Sequence, residues 1–174
     1  MAILISAILT IKAMSKDNNI VLKKRKIKGI ASKWVILQQY KGNFYLYHPC
    51  DFLFHYRVSI NDTTFIDWTG EGPVANKIIR FKRIDSKTFD FELSGIYDQN
   101  QKLRIHIIDN KKGIAIFEKI FDGRANIRYL MVDADKIRNI PVIVNNCEYE
   151  KQLEQEFDAP DYDKLLKIKE GKNF

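Results

Sequence analysis

The chain has 174 residues, 45% hydrophobic and 12% aromatic, with 29 Lys and Arg against 22 Asp and Glu and a formal net charge of +7. That length builds one domain with a sizeable core and is short for two, and the apolar content excludes a chain that is disordered throughout. Basic residues crowd before Trp34 and acidic ones after Cys147, which leaves the core less basic than the total suggests and lets the two ends neutralise each other.

Residues 1–14 form an apolar leader, Met1 to Ile11 followed by Lys12. It has the length of an export signal and is too short to span a bilayer. No basic segment precedes it, so it reads as a truncated signal peptide; the other reading is a short helix packed on the domain. Residues 15–31 are a basic linker, with Lys23-Lys24-Arg25-Lys26-Ile27-Lys28 at its centre. No aromatic residues are interleaved there for base stacking, which favours a solvated linker over a nucleic-acid site.

Residues 32–147 carry the regular pattern. In Thr88-Phe89-Asp90-Phe91-Glu92-Leu93-Ser94 the odd positions are apolar and the even ones polar, which puts one set on each face of a pleated strand. The same period recurs in Phe52–Ile60 and Leu103–Ile107. Further strands are expected at Ser32–Tyr40, Phe44–His48 (ended by Pro49), Thr64–Trp68, Lys77–Ile84, Ile114–Ile120 and Ile127–Val132, with Ile140–Val144 as a possible last edge. The links are short and rich in Asp, Asn, Gly and Lys, a chemistry that joins antiparallel neighbours. The fold class expected is all-β, an antiparallel up-and-down meander closing into a barrel of about eight to ten strands. Residues 148–174 are an acidic C-terminal helix and tail: Tyr149, Leu153 and Phe157 recur at i, i+4 and i+8, so an amphipathic helix is expected up to Asp158-Ala159-Pro160, and the tail from there to Phe174 reads as a second short helix or as disordered.

Cys50 and Cys147 lie far apart in sequence. An even count is compatible with one disulfide in an oxidising compartment, and equally with two separate buried thiols. His48, His55 and His106 match no metal-site spacing, and no nucleophile with its base, phosphate-binding glycine loop or cofactor motif stands out. No cofactor or metal is expected. Asp67, Glu71 and Asp90 remain as generic acid–base candidates. Phe52, Phe54, Tyr56, Phe89 and Phe91 fall on apolar faces and are expected inside, which favours a filled interior. The glycine-rich loop Thr69-Gly70-Glu71-Gly72-Pro73 follows Trp68 and is expected as a lip over the barrel mouth. Trp68, Asp67, Glu71 and Tyr56 are the candidate ligand-binding residues there.

The order of parts resembles a lipocalin, or more broadly the calycin barrels: a leader, a tryptophan opening the first strand, hairpin-linked strands, then a helix and a cysteine able to reach the barrel. The G-x-W motif of that family appears as Ser32-Lys33-Trp34, with serine for glycine, and Arg128 stands where the family places an arginine against that tryptophan. The resemblance implies that Trp34 and Arg128 close one end of the barrel. It further implies an exported, periplasmic or secreted, non-enzymatic cup for a small apolar or amphiphilic molecule or for a protein partner. Two other readings stay open. One is a nucleic-acid or anionic-surface binder using Lys23–Lys28 with Lys77, Arg80, Lys82 and Arg83; the other is an enzyme built on the same barrel.

Overall fold

A computed structural model describes residues 26–51, 55–95, 101–145 and 154–169, without the side chains of 168 and 169. Within them the chain forms a closed eight-stranded barrel, all antiparallel. Its strands are β1 (Lys33–Ile36), β4 (Arg57–Ile60), β5 (Thr64–Thr69), β6 (Gly72–Arg83), β7 (Thr88–Ser94), β8 (Gln101–Asp109), β9 (Ile114–Ile120) and β10 (Ile127–Asp133). From β4 to β10 every strand pairs with the next in sequence, as hairpin links dictate; closure comes from β1, which pairs with β4 on one side and β10 on the other.

The alternation read from the sequence is the alternation of the barrel wall. Phe65, Phe89, Phe91, Leu93, Leu103, Ile105, Phe117 and Met131 point inward, each at most 1% exposed. Trp34 joins them, its ring edge-on to Phe117 at 5.1 Å. The interior is therefore packed solid over most of its height, which removes a large apolar area from water at about 25 cal/mol per Å². At the foot, residues 26–32 fold under the barrel. Ile30 is buried, Ile27 packs against the same core, and Trp34 Nε1 donates to Ala31 O at 2.8 Å. Gly29 permits this turn: its φ is +92°, and a Cβ there would sit 3.4 Å from the Phe89 ring.

A second layer covers part of the outside. After β1 the chain leaves the barrel at Leu37 and forms β2 (Gln38–Tyr40) and β3 (Asn43–His48), a hairpin turned by Lys41 and Gly42, both with positive φ. β11 (Val142–Val144), reached through a 3-10 turn at Ala134–Asn139, adds to β3 in parallel. The segment Phe44–His48 is thus no barrel strand, and antiparallel pairing is not universal, because a long return connection rather than a hairpin brings β11 to β3. The layer rests on Leu37, Ile114, Ile116, Leu130 and Val132, which face outward. Buried on both faces, Ile114–Phe117 reads as a continuous apolar run rather than an alternating one.

The C-terminal helix is α1 (Tyr162–Lys169), which packs Tyr162, Leu165 and Leu166 on the same outer cluster. The expected C-terminal helix is thus present, in the tail beyond Pro160. Residues 148–153 lie outside the described residues, while 154–157 are not helical, and Phe157 packs edge-on against Tyr47 at 4.8 Å. The helix begins after Pro160 instead, where the Asp161 side chain accepts from the N–H of Lys164 at 2.9 Å. Among the described residues no helix is long and apolar enough to cross a membrane.

Candidate functional site

The barrel has one end closed by residues 26–32 and another where the β5–β6 and β9–β10 links lie. At this second end the inward positions stop being apolar. Asp67 follows Phe65 on β5, Asn76 precedes Ile78 on β6, Gln101 precedes Leu103 on β8, and Lys119 follows Phe117 on β9. Each is the next inward residue up its strand, so strand periodicity alone delivers a polar ring to the mouth.

The ring is bonded across the lumen. Lys119 Nζ lies 2.9 Å from Asp67 Oδ1, the Tyr56 hydroxyl donates to the same oxygen at 2.5 Å, and Asn76 Nδ2 donates to Oδ2 at 3.2 Å. Asp67 is only 4% exposed, so its charge stands on three donors, one of them the Lys119 cation, the condition for keeping a carboxylate buried. Burial, followed by the neighbouring Asp67 charge and hydrogen bond, pushes the Tyr56 hydroxyl far above the ordinary phenol range, so it stays protonated and donates. Burial and Asp67 also raise Tyr129.

Above this floor is a concavity of about 390 Å³. Tyr56 and Tyr129 stack in its wall, 4.8 Å apart and 24° from parallel, with the Lys119 ammonium 5.8 Å from each ring centre. Val74 and Phe121 add apolar surface, and His55, Thr69 and Gln101 complete the lining. Gln101 is 92% buried, and among the described residues no side chain bonds its amide.

Of the four expected ligand-binding residues, Asp67 and Tyr56 meet in this pocket and two lie elsewhere. Trp68 follows Asp67 and so faces outward, where its Nε1 donates to Ser59 Oγ at 3.0 Å beneath the Arg57 guanidinium. Glu71 is exposed at the tip of a two-residue hairpin: Trp68 pairs with Pro73 and Thr69 with Gly72, so the strands run almost to the tip and no long lip forms. Lys119, Asn76, Gln101 and Tyr129 went unrecognised in the sequence; the available signal was a polar residue at the inward parity of an apolar strand.

Trp34 is buried near the closed end. Arg128 is on the opposite face of the wall, where it binds Glu118 at 2.8 Å and Asp163 of α1 at 3.0 Å, and it does not reach the tryptophan. The reason is parity, since Tyr129 and Met131 of β10 point inward and Arg128 does not. Asp90 is also on the outer face, held by Arg104 through two bonds of 2.6 and 2.8 Å. The cysteine pair is only half visible. Cys50 donates its N–H to Glu154 Oε1 at 3.0 Å, while Cys147, like the leader 1–14, Phe52 and Phe54, lies outside the described residues. Compared with protein-family models, with curated proteins and with solved structures, the chain finds no match.

Proposed function

We propose that this chain is a lipocalin-like binding barrel that takes a small amphiphile at its mouth. The observation that carries the reading is the pocket of about 390 Å³ set on an otherwise filled barrel and floored by the Tyr56–Asp67–Lys119 cluster. Its volume falls in the range of small-molecule sites, and its lining combines apolar surface with a few convergent polar groups. The stacked pair Tyr56 and Tyr129 offers a flat face to a planar or greasy body. For the head, the Lys119 ammonium has three donors and spends one on Asp67, and the Gln101 amide lines the same pocket. Those groups suit an oxygen acceptor such as a carboxylate or carbonyl on the ligand.

The apolar leader and the paired count of cysteines support export to the periplasm or to the medium as part of the same proposal. The test is calorimetric titration with naphthoate and decanoate, each against its uncharged alcohol. Binding is expected to favour the acids, to change little with salt, and to fall at least tenfold in Tyr129→Ala and in Gln101→Ala. Absence of binding by all four probes, or binding that neither substitution changes, removes the mouth from consideration.

A further inference from the structure

Strand β6 is twelve residues long, and its two neighbours do not cover it equally. On one side β7 follows it down to Arg83. On the other, β5 begins at Thr64, opposite Lys77, and the last bond on that side runs from Ile78 N–H to Thr63 O at 2.8 Å. Residues 79–83 therefore overhang the foot of the barrel with one edge unpaired among the described residues. The register with β7 slips between Ile78 and Arg80, a bulge that turns Ile79 outward.

The overhang is apolar as well as open. Ile79 is 57% exposed, Phe81 39% and Ile84 46%. Phe81 lies on the inner side against Phe91 at 5.1 Å and Phe89 at 6.2 Å, so it makes a floor beside the edge rather than an isolated greasy side chain. An unpaired apolar strand edge is a template for another strand, and the bulge and the cations on this one blunt it against an uncharged or basic strand.

The charge beside it selects the partner. Lys77, Arg80, Lys82 and Arg83 lie on this strand, and no carboxylate occurs between Gly72 and Ile84. The neighbouring acids compensate them poorly: Glu92 stands 3.6 Å from Arg80 with both side chains exposed, and Asp90, opposite Lys82, is already taken by Arg104. We propose that the edge of residues 79–83 is a docking site for an extended acidic segment of a partner protein, added to the barrel as a further β-strand. Five residues span about 16 Å, an ordinary strand length. Main-chain bonds would supply affinity and alternate side chains specificity. Phe81 and Arg80 sit on opposite faces, so the partner alternates apolar residues on the Phe81 side with Asp or Glu on the Arg80 and Lys82 side. A second copy of β6 in this place would set cation beside cation, which is destabilising. A nucleic acid has no strand edge with which to use the free backbone groups.

The experiment is fluorescence anisotropy with a labelled decapeptide of alternating Val and Glu, compared with its Val and Lys counterpart, a scrambled Val and Glu sequence and a single-stranded oligonucleotide. Amide hydrogen exchange locates whatever binds. The alternating acidic peptide is expected to bind at least tenfold more tightly than the other three, to slow exchange at residues 79–83, and to lose at least tenfold in Arg80→Glu/Lys82→Glu and in Ile79→Pro, both checked for fold by circular dichroism. Equal binding of the scrambled peptide overturns the proposal, as does protection confined to the mouth. Tighter binding of the oligonucleotide reassigns the surface to phosphate. A dimer seen in sedimentation and abolished by Ile79→Lys reassigns it to a second copy.

Discussion

Lys119 and Asp67 meet at 2.9 Å across the barrel axis, from strands β9 and β5 that have three other strands between them on either side. No neighbouring pair of strands supplies this contact; closing the sheet does. The pair divides the lumen into an apolar plug below and a polar pocket above, so it belongs at once to stability and to the binding reading. Lys119→Met leaves the Asp67 charge on Tyr56 and Asn76 alone, and the expected loss is about 3–5 kcal/mol in urea denaturation. Asp67→Asn/Lys119→Met should recover most of that loss, since neither charge is then stranded. If the single variant costs under about 1 kcal/mol, the pair is not the buried floor described above.

Trp34 is 2% exposed, edge-on to Phe117, with its indole N–H satisfied by Ala31. Trp34→Ala removes a large core side chain together with the anchor of the segment that closes the foot. A loss of about 3–5 kcal/mol is expected by denaturant midpoint at unchanged m-value. Trp34→Phe should cost less, because it retains most of the ring contact. Near-wild-type stability in Trp34→Ala would mean that residues 26–32 close the barrel without the indole.

How much of this was legible depends on whether a strand has one wet face. Phe89-Asp90-Phe91-Glu92-Leu93 announces its inward side unaided, and the meander follows from strands of that kind joined by short links. The same parity placed Asp67 with Phe65, and applied one residue further it puts Trp68 outside. Where both faces are covered the signal fades: Ile114–Phe117 is apolar throughout, and Phe44–Tyr47 are all half-buried between two layers. Nothing local distinguishes a barrel strand from one in the covering sheet. Lys119 and Gln101 were hidden for a different reason, because a polar residue at a strand end is ordinary until closure shows what it faces.

Glu118, on the outer face beneath α1, is 7% exposed and bonds Arg128 and Asn126. Burial opposes its ionisation. The hydrogen bonds from Arg128 and Asn126 and the charges of Arg128 and His106 outweigh that, so its carboxyl titrates below the ordinary value of 4.5. A folded-state value below the unfolded one gives stability that is fully present above about pH 4.5 and is lost as pH falls through the lower folded-state value. Glu118→Gln should therefore be less stable near neutrality by about 1–3 kcal/mol and should lose part of the wild-type acid dependence. Parallel acid-unfolding slopes for the two proteins would exclude Glu118 as a source of that dependence.

The last expectation concerns Cys50 and Cys147. The parallel register of β11 on β3 sets Val144 beside His48, and the next bond runs from Asn145 N–H to His48 O at 3.0 Å. His48 and Asn145 each precede a cysteine by two residues. Glu154 then draws the chain beyond Cys147 back to the same place, accepting from the N–H groups of Cys50 and Asp51, from Asn145 Nδ2 and from the Tyr47 hydroxyl. The two chain segments that carry the cysteines are thus fastened together on both sides of Cys147, and a disulfide between them is the outcome expected under the proposed export. Closing a loop of about 100 residues would stabilise the fold by ~4–5 kcal/mol on the chain-entropy account. Thiol titration of unfolded, unreduced protein should find no free thiol, and Cys50→Ser/Cys147→Ser should lower the melting temperature even with the Glu154 contacts intact. Two titratable thiols in protein recovered from an oxidising compartment would leave Glu154 as what holds the tail there, and Glu154→Gln would then be the substitution that releases it.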